Sequence, residues 1–171
     1  METKQYLIDF YNTYDEDSRL ALKHGMVEFL TTMHYIDKYI KSGDCVLEIG
    51  AATGRYSHTL ARQGYDVDAV ELVEHNIEVF YKNTQSNENI SITQGNAMDL
   101  SVFPDNKYDI TLLLGPLYHL YNKEDKQQAL HEAIRVTKPG GVVFAAYVIS
   151  DGCLIDEGFH RGNIDVSEYI E

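Results

Sequence analysis

Short apolar runs alternate with helical stretches through the middle of the chain, and this alternation constrains the fold more than any other feature. The runs are rich in Val, Ile, Leu and aromatic residues, as strands are, and in order they read CVLEIG, VDAVEL, ISITQG, YDITLLLG and GVVFAAYV. Helical spacing of apolar residues lies between most of them. Strands that alternate with helices form a largely parallel sheet covered on both faces. The chain is therefore predicted to be an α/β three-layer sandwich around a mostly parallel, doubly wound sheet.

The helices are predicted from the same periodicity. The longest spans 17–40, and shorter ones follow at 55–63 and 73–84. The last begins after Asn122 and ends at the KPGG of 138–141. The apolar face of the long helix comprises Leu22, Met26, Phe29, Leu30, Met33, Ile36 and Ile40, and that of the last helix comprises Leu130, Ala133 and Ile134.

Composition excludes several classes of function. The 171 residues carry a net charge of −13, which repels phosphate backbones and anionic membrane surfaces, so neither nucleic acid nor a membrane is expected as a partner. The start, METKQYLIDF, lacks the pattern of a secretory signal, and the longest apolar run, 142–149, is too short to span a membrane. The two cysteines and seven histidines show no metal-binding spacing. A cytoplasmic location and no metal are expected.

The turn EIGAATG follows the first predicted strand. In an open parallel sheet, ligands bind at the carboxyl ends of the strands, near the point where the strand order reverses. Gly50 and Gly54 permit a close approach to the backbone, and the next helix offers unpaired N–H groups. A tight connection that binds nothing explains the glycines equally well, so other parts of the chain must decide.

Two acids stand at corresponding positions after the next strands. Glu71 ends the second strand, where a carboxylate can accept hydrogen bonds from both hydroxyls of a ribose. Asp99, after the third strand, can accept a hydrogen bond from the amine of adenine, although a turn is its more ordinary role. A nucleoside beside a glycine turn fits a dinucleotide or S-adenosylmethionine. The GxGxxG fingerprint of dinucleotide sites does not match, and no Walker lysine follows.

From about 43 to 149 the sequence resembles the class I S-adenosylmethionine-dependent methyltransferases. Four motifs carry the resemblance in order: VLEIGAATG, the acid of VDAVEL, QGNAMDL, and YDITLLLGPLYHL followed by RVTKPGGVVFAAY. One departure is Ala52, which stands where the loop of this family usually has its middle glycine. The resemblance implies the fold predicted above and S-adenosylmethionine as the cofactor.

The resemblance also implies which residues bind this cofactor. The loop after the first strand, EIGAATG, is expected to surround the methionine half of the cofactor, and Glu71 to bind the ribose. Leu72 is expected to pack on adenine, residues 97–99 to lie at the adenine edge, and residues 114–115 to face the sulfonium. Along the chain the implied residues are Glu48, Gly50, Ala51, Gly54, Glu71, Leu72, Ala97, Met98, Asp99, Leu114 and Gly115.

Methyl transfer from a sulfonium is an in-line displacement, so the protein mainly aligns the two reactants and excludes water. A base is needed only if the acceptor must lose a proton. Tyr118 and His119, after the fourth strand, are the predicted catalytic residues, with His119 as the candidate base. A histidine hydrogen-bonded locally at a helix start is an equally good interpretation of His119.

A small metabolite is the expected acceptor. The N-terminal segment contains Tyr6, Phe10, Tyr11 and Tyr14, an aromatic density suited either to a lid over a cation or an aromatic acceptor, or to core packing. Two other functions remain open from the sequence: a protein that binds the cofactor without catalysis, and, less favoured, a nucleotide-dependent oxidoreductase.

The expected organisation is a helical lid at 1–42, a cofactor-binding core at 43–150 and an extension at 151–171. The family's sheet has seven strands, whereas the fifth strand here lies close to Glu171, so the last two strands are expected to be missing and the chain to be truncated. The fifth strand would then have an unpaired edge, which proteins rarely leave open. A homodimer through this edge is the predicted alternative to truncation.

Overall fold

The computed structural model describes residues 23–153 together with Asp9 and Ile155. The aromatic segment around Tyr6, Phe10, Tyr11 and Tyr14 lies outside these residues, so the predicted lid is not described. The strands are β1 (Cys45–Ile49), β2 (Asp66–Glu71), β3 (Ile90–Gln94), β4 (Tyr108–Leu113) and β5 (Thr137–Ala145). The helices are α1 (Lys23–Ile36), α2 (Arg55–Arg62), α3 (Glu74–Asn83), α4 (Pro116–His119), α5 (Lys123–Val136) and α6 (Ser150–Cys153).

The five strands form one parallel sheet in the order β3-β2-β1-β4-β5. The chain winds outward from β1 in one direction through β2 and β3, and then returns to the other side of β1 with β4. The strand order therefore reverses between β1 and β4, which is where such sheets bind ligands. The predicted fold class is confirmed.

Successive residues of each strand face opposite sides of the sheet, and this separates the core into two layers. In β1, Val46 packs with α1 and α2, whereas Leu47 and Ile49 pack with α5. In β2, Ala69 packs against Phe80 of α3. Ala69 faces the same side of the sheet as Val67, two residues earlier, which packs with α2. Helices α1, α2 and α3 therefore cover one face of the sheet, and α5 covers the other.

The buried face of helix α5 differs from the apolar face predicted for it. Ala129, Ala133 and Val136 are buried at helical spacing, whereas Ile134 is 54% exposed. Asn122 is the N-cap residue, as predicted, with Glu124 and Asp125 in the first turn, but its side chain makes no capping hydrogen bond. Small residues thus bring α5 close to the sheet.

The KPGG segment lies within β5 instead of ending the helix. Helix α5 ends at Val136, and Thr137 already pairs with Tyr108 of β4. Pairing then resumes between Ile110 and Val142, so β5 contains three more residues than β4 over this stretch, and they form a bulge. A Cβ at Gly141 would lie 2.7 Å from the Asp109 carbonyl oxygen, so a glycine is needed at this approach.

Helix α1 is shorter than the predicted span of 17–40. It ends at Ile36 and a turn follows, while 17–22 lie outside the described residues. Met33 and Ile36 are buried, and Phe29 packs against the same cluster. In the part of the chain that the structure describes, no helix is long and apolar enough to cross a membrane.

The outer edge of β5 pairs with no other described strand. Because Ala146 donates its N–H to Leu113 of β4, and because successive backbone N–H groups point to opposite sides of a strand, the N–H of Ala145 points outward. Exposed apolar side chains follow at Tyr147, Val148 and Ile149. The homodimer through this edge stays a prediction.

Light scattering tests this prediction. We expect the protein to be a dimer and Ala145→Pro to be a monomer, because proline removes the outward N–H while leaving the bonds to β4. Ala145→Val is the matched control, because it enlarges the side chain but keeps the N–H, and it should remain dimeric. A wild-type monomer at all concentrations would contradict the prediction.

Candidate cofactor-binding site

A cavity opens at the carboxyl ends of β1, β2 and β4, where the strand order reverses. The loops after these strands meet there with the loop after β3, and α1 closes one side with Glu28. The sequence-predicted residues that line the cavity are Glu48, Gly50, Ala51, Glu71, Leu72, Ala97, Leu114, Gly115, Tyr118 and His119. Gly54, Met98 and Asp99 do not line it.

The two glycines of the first loop are required for different reasons. A Cβ at Gly50 would lie 2.9 Å from the Pro116 ring, so this glycine lets the first loop approach α4. Gly54 has φ of +87°, and a Cβ there would lie 2.4 Å from the Phe80 ring and 2.8 Å from that of His58. Gly54 therefore permits the packing of α2 against α3, behind the cavity, and its predicted contact with the cofactor stays untested.

Ala52 adopts the left-handed backbone conformation that its glycine counterpart in the family would adopt freely. Its φ is +49°, which costs an alanine roughly 1–2 kcal/mol. In this conformation the Ala52 N–H donates a hydrogen bond of 2.8 Å to Oε2 of Glu71. The alanine thus keeps the loop conformation, which is stabilised by the acid at the end of β2.

Glu71 is buried at the cavity wall and connects three segments. Besides the bond from Ala52, its Oε1 accepts hydrogen bonds from the Val73 N–H at 2.9 Å and from the Asn76 amide at 3.3 Å. Burial raises the pKa of the Glu71 carboxyl, and these hydrogen bonds partly offset the rise. A carboxylate has about four acceptor positions. Three are used by these bonds, so Oε2 retains capacity for a ligand hydroxyl.

Glu48 is the second buried acid of the cavity wall. Its Oε2 accepts hydrogen bonds from the N–H and the hydroxyl of Ser57 in α2. Burial raises the pKa of Glu48 to about 7; the Ser57 bonds lower it in part, and the nearby charge of Glu71 raises it further. The carboxyl therefore exchanges its proton near neutral pH, and its bonds to Ser57 hold the start of α2 beneath the first loop.

The loop after β4 forms the cavity wall opposite the loop after β1. A Cβ at Gly115 would lie 3.8 Å from both the Gly50 carbonyl oxygen and the Tyr118 hydroxyl, so its absence leaves open space between them. The rings of Tyr118 and His119 lie 4.9 Å apart at the end of α4. Burial lowers the pKa of the His119 imidazole below its ordinary 6.5. His119 is therefore uncharged at neutral pH.

The loop after β3 contributes Asn96 and Ala97 to the cavity instead of Asp99. Asp99 is exposed and accepts a hydrogen bond from the Ser101 N–H at 3.0 Å; hydrogen bonding from the Ser101 side chain, and then from this N–H, lowers the pKa of the Asp99 carboxyl. Met98 packs against the core. The role of Asp99 at the adenine edge stays a prediction, and Asn96 is the polar side chain that the structure brings to this wall.

Five further charged, amide or aromatic residues of the lining were not predicted from the sequence. Arg55 and Tyr56 directly follow the glycine turn, and Asn96 directly precedes Ala97 in the motif QGNAMDL, so position in the sequence was the available signal for these three. The others lie on distant segments that tertiary packing brings together. The five are Glu28, Arg55, Tyr56, Asn76 and Asn96.

The sequence profile of the methyltransferase domain family matches residues 47–145, more than half of the chain. The chain belongs to this methyltransferase family. The predicted family, and S-adenosylmethionine as its cofactor, are confirmed.

Relatives of this methyltransferase domain agree with the match. The demethylmenaquinone methyltransferase of Staphylococcus aureus is 33% identical over 111 residues, which cover 63% of this chain and 44% of that protein. The chain thus spans less than half the length of the curated relatives it matches. A S-adenosylmethionine-dependent methyltransferase of Methanosarcina mazei is 25% identical, with a TM-score of 0.58 over 64% of this chain and 54% of that one. A Pyrococcus horikoshii protein shares the fold, with 24% identity and a TM-score of 0.68 over 79% of this chain and 63% of that one.

The cavity of the methyltransferase domain suits S-adenosylmethionine chemically. Glu71 is a buried acceptor of the kind that a ribose hydroxyl requires, and Leu72, Val73 and Ala97 form an apolar surface of the kind that adenine requires. The space left open at Gly115 separates the loop after β1 from α4. Among the described residues, no group of three or more His, Cys, Asp and Glu side chains can hold a metal ion.

The pKa of Glu48 predicts a pH dependence of stability. Between pH 4.5 and about 7, Glu48 binds a proton in the folded chain but not in the unfolded chain, so the free energy of unfolding should fall as the pH rises. The fall due to Glu48 is about 3 kcal/mol, since one pKa unit corresponds to about 1.4 kcal/mol. The free energy of unfolding, measured in urea at pH 5 and at pH 8, should fall by about 3 kcal/mol less in Glu48→Gln than in the wild type. The exposed Glu124→Gln is the control, and an equal loss in wild type and Glu48→Gln would contradict the assignment.

Proposed function

We propose that the protein transfers the methyl group of S-adenosylmethionine to a small-molecule acceptor. The observation that carries the proposal is the cavity itself, in which the buried Glu71 lies on one wall and the open strip at Gly115 separates the first loop from Tyr118. A purified protein incubated with labelled S-adenosylmethionine and a metabolite extract should label a low-molecular-weight product. Binding of the cofactor with no labelled product would instead favour a protein that binds without catalysis.

The charge of the chain and the lining of the cavity support a small acceptor. The net charge of −13 disfavours nucleic acid. The acceptor side offers the rings of Tyr56, Tyr118 and His119 beside Leu114 and Leu120, a surface suited to a flat, partly apolar molecule. The name of the Staphylococcus aureus relatives indicates a quinone ring. A quinone-type acceptor is therefore the first class to assay.

We propose that the residues of the cavity act mainly by alignment. When bound, S-adenosylmethionine would supply a methyl carbon to which the acceptor atom bonds, while the bond from that carbon to sulfur breaks and leaves its electrons on sulfur. A proton released by the acceptor passes to the uncharged His119 imidazole. Tyr118 bounds the space above Gly115 with its hydroxyl and so orients the acceptor.

A first test concerns the affinity for the cofactor. Glu71→Gln keeps the shape of the side chain but removes its charge, and it should weaken the binding of S-adenosylhomocysteine by about 1.5–3 kcal/mol, measured by calorimetry. Glu74→Gln removes an exposed acid three residues later and is the control. Equal affinities of wild type and Glu71→Gln would exclude Glu71 as the ribose acceptor.

A second test separates His119 from cofactor binding. His119→Asn should lower kcat roughly 100-fold, the lower range for a general base, and should leave the affinity for S-adenosylhomocysteine unchanged. Because burial lowers the pKa of His119, the acidic limb of the wild-type kcat profile should lie below pH 6.5 and should disappear in the variant. A parallel loss of kcat and affinity would mean that His119 only supports the structure of the site.

A further inference from the structure

Arg55 places a guanidinium in the wall of the cavity. It lies in the first turn of α2, directly after the glycine loop, and its Cζ lies 4.6 Å from the centroid of the Phe29 ring on α1. Phe29 in turn contacts the ring of Tyr56, with centroids 5.1 Å apart. The guanidinium is therefore held in place by aromatic contacts between α1 and α2.

The donors of Arg55 are largely unused within the described residues. Its one hydrogen bond there goes to the Met26 sulfur, a weak acceptor, at 3.8 Å, and none of the ion pairs in the described part of the chain includes it. The other described arginines differ: Arg62 pairs with Glu88, and Arg135 binds Glu132, Asp105 and two backbone carbonyls. A guanidinium has five N–H donors in a planar fork that matches a carboxylate.

Arg55 also differs in charge from the rest of the lining. The other ionisable side chains there, apart from the two tyrosines, are the acids Glu28, Glu48 and Glu71 and the imidazole His119. Arg55 is therefore the one lysine or arginine of the described lining. An anionic part of a ligand would be repelled by the acids everywhere except beside Arg55.

The geometry points to Arg55 as a carboxylate-binding residue of this cavity, an inference that rests on the function proposed above. Two sources share this chemistry. One is the amino-acid carboxylate of S-adenosylmethionine, and the other is an acidic group on the acceptor. In both cases Arg55 is a specificity-determining residue, because it makes the cavity favour a ligand that carries a carboxylate.

The experiment compares Arg55→Gln with wild type for three probes by calorimetry. S-adenosylhomocysteine carries the amino-acid carboxylate, whereas 5′-methylthioadenosine has the same nucleoside and thioether without it. Benzoate, titrated into protein loaded with S-adenosylhomocysteine, represents an acidic acceptor. Lys82→Gln removes a positive charge from the exposed face of α3 and controls for net charge.

Arg55→Gln should lose roughly 10- to 100-fold in affinity for one of the two carboxylate probes and none for 5′-methylthioadenosine, while Lys82→Gln should match the wild type. A loss confined to S-adenosylhomocysteine assigns the carboxylate of the cofactor, and a loss confined to benzoate assigns that of the acceptor. Arg55→Lys should recover part of the affinity, since it restores the charge without the fork.

Equal loss for S-adenosylhomocysteine and 5′-methylthioadenosine, or no loss for any probe, would overturn the inference while leaving the proposed function intact. Failure of the wild type to bind either nucleoside would overturn both. Circular dichroism at the assay temperature verifies that Arg55→Gln is folded, because the variant also loses the contact with Phe29.

Discussion

The buried carboxylate of Glu71 is the interaction on which the site depends. It ends β2, accepts a hydrogen bond from Ala52 in the first loop, and accepts others from Val73 and Asn76 at the start of α3. A buried carboxylate without such donors would be protonated or would destabilise the fold. The same bonds that make its burial possible therefore fix the relative positions of two loops, and a ligand meets a wall that is already formed.

The described lining is acidic, and its charges are arranged unevenly. Glu48 and Glu71 lie on the adjacent strands β1 and β2, and the charge of Glu71 raises the pKa of Glu48, whereas Arg55 is the first residue of α2, directly after the loop. S-adenosylmethionine carries positive charge on its sulfur and amine and negative charge on its carboxylate. A lining with acids on the strands and one guanidinium on α2 can match such a molecule in orientation as well as in size.

The sequence could predict the sheet and those site residues that lie at strand ends. Alternating apolar runs determine the layers, and an acid at the end of a parallel strand must face the ligand edge, so Glu71 was identifiable. KPGG was misassigned because glycine and proline break helices and strands alike, and only the close carbonyl of Asp109 shows that the segment is a bulge. Arg55 was missed because its environment is created by Phe29 of α1, and no local pattern records a contact between helices.

The packing around Gly54 affects how this glycine is compared within the family. It stands in the motif that identifies the cofactor loop, yet the space that its missing side chain leaves is filled by Phe80 and His58 behind that loop. A larger residue would push α2 and α3 apart, and Glu48 would lose its alignment with Ser57 at the start of α2. Substitution of this glycine would therefore reduce ligand affinity indirectly, by displacing a helix. A relative that keeps the glycine would keep it for the packing of two helices.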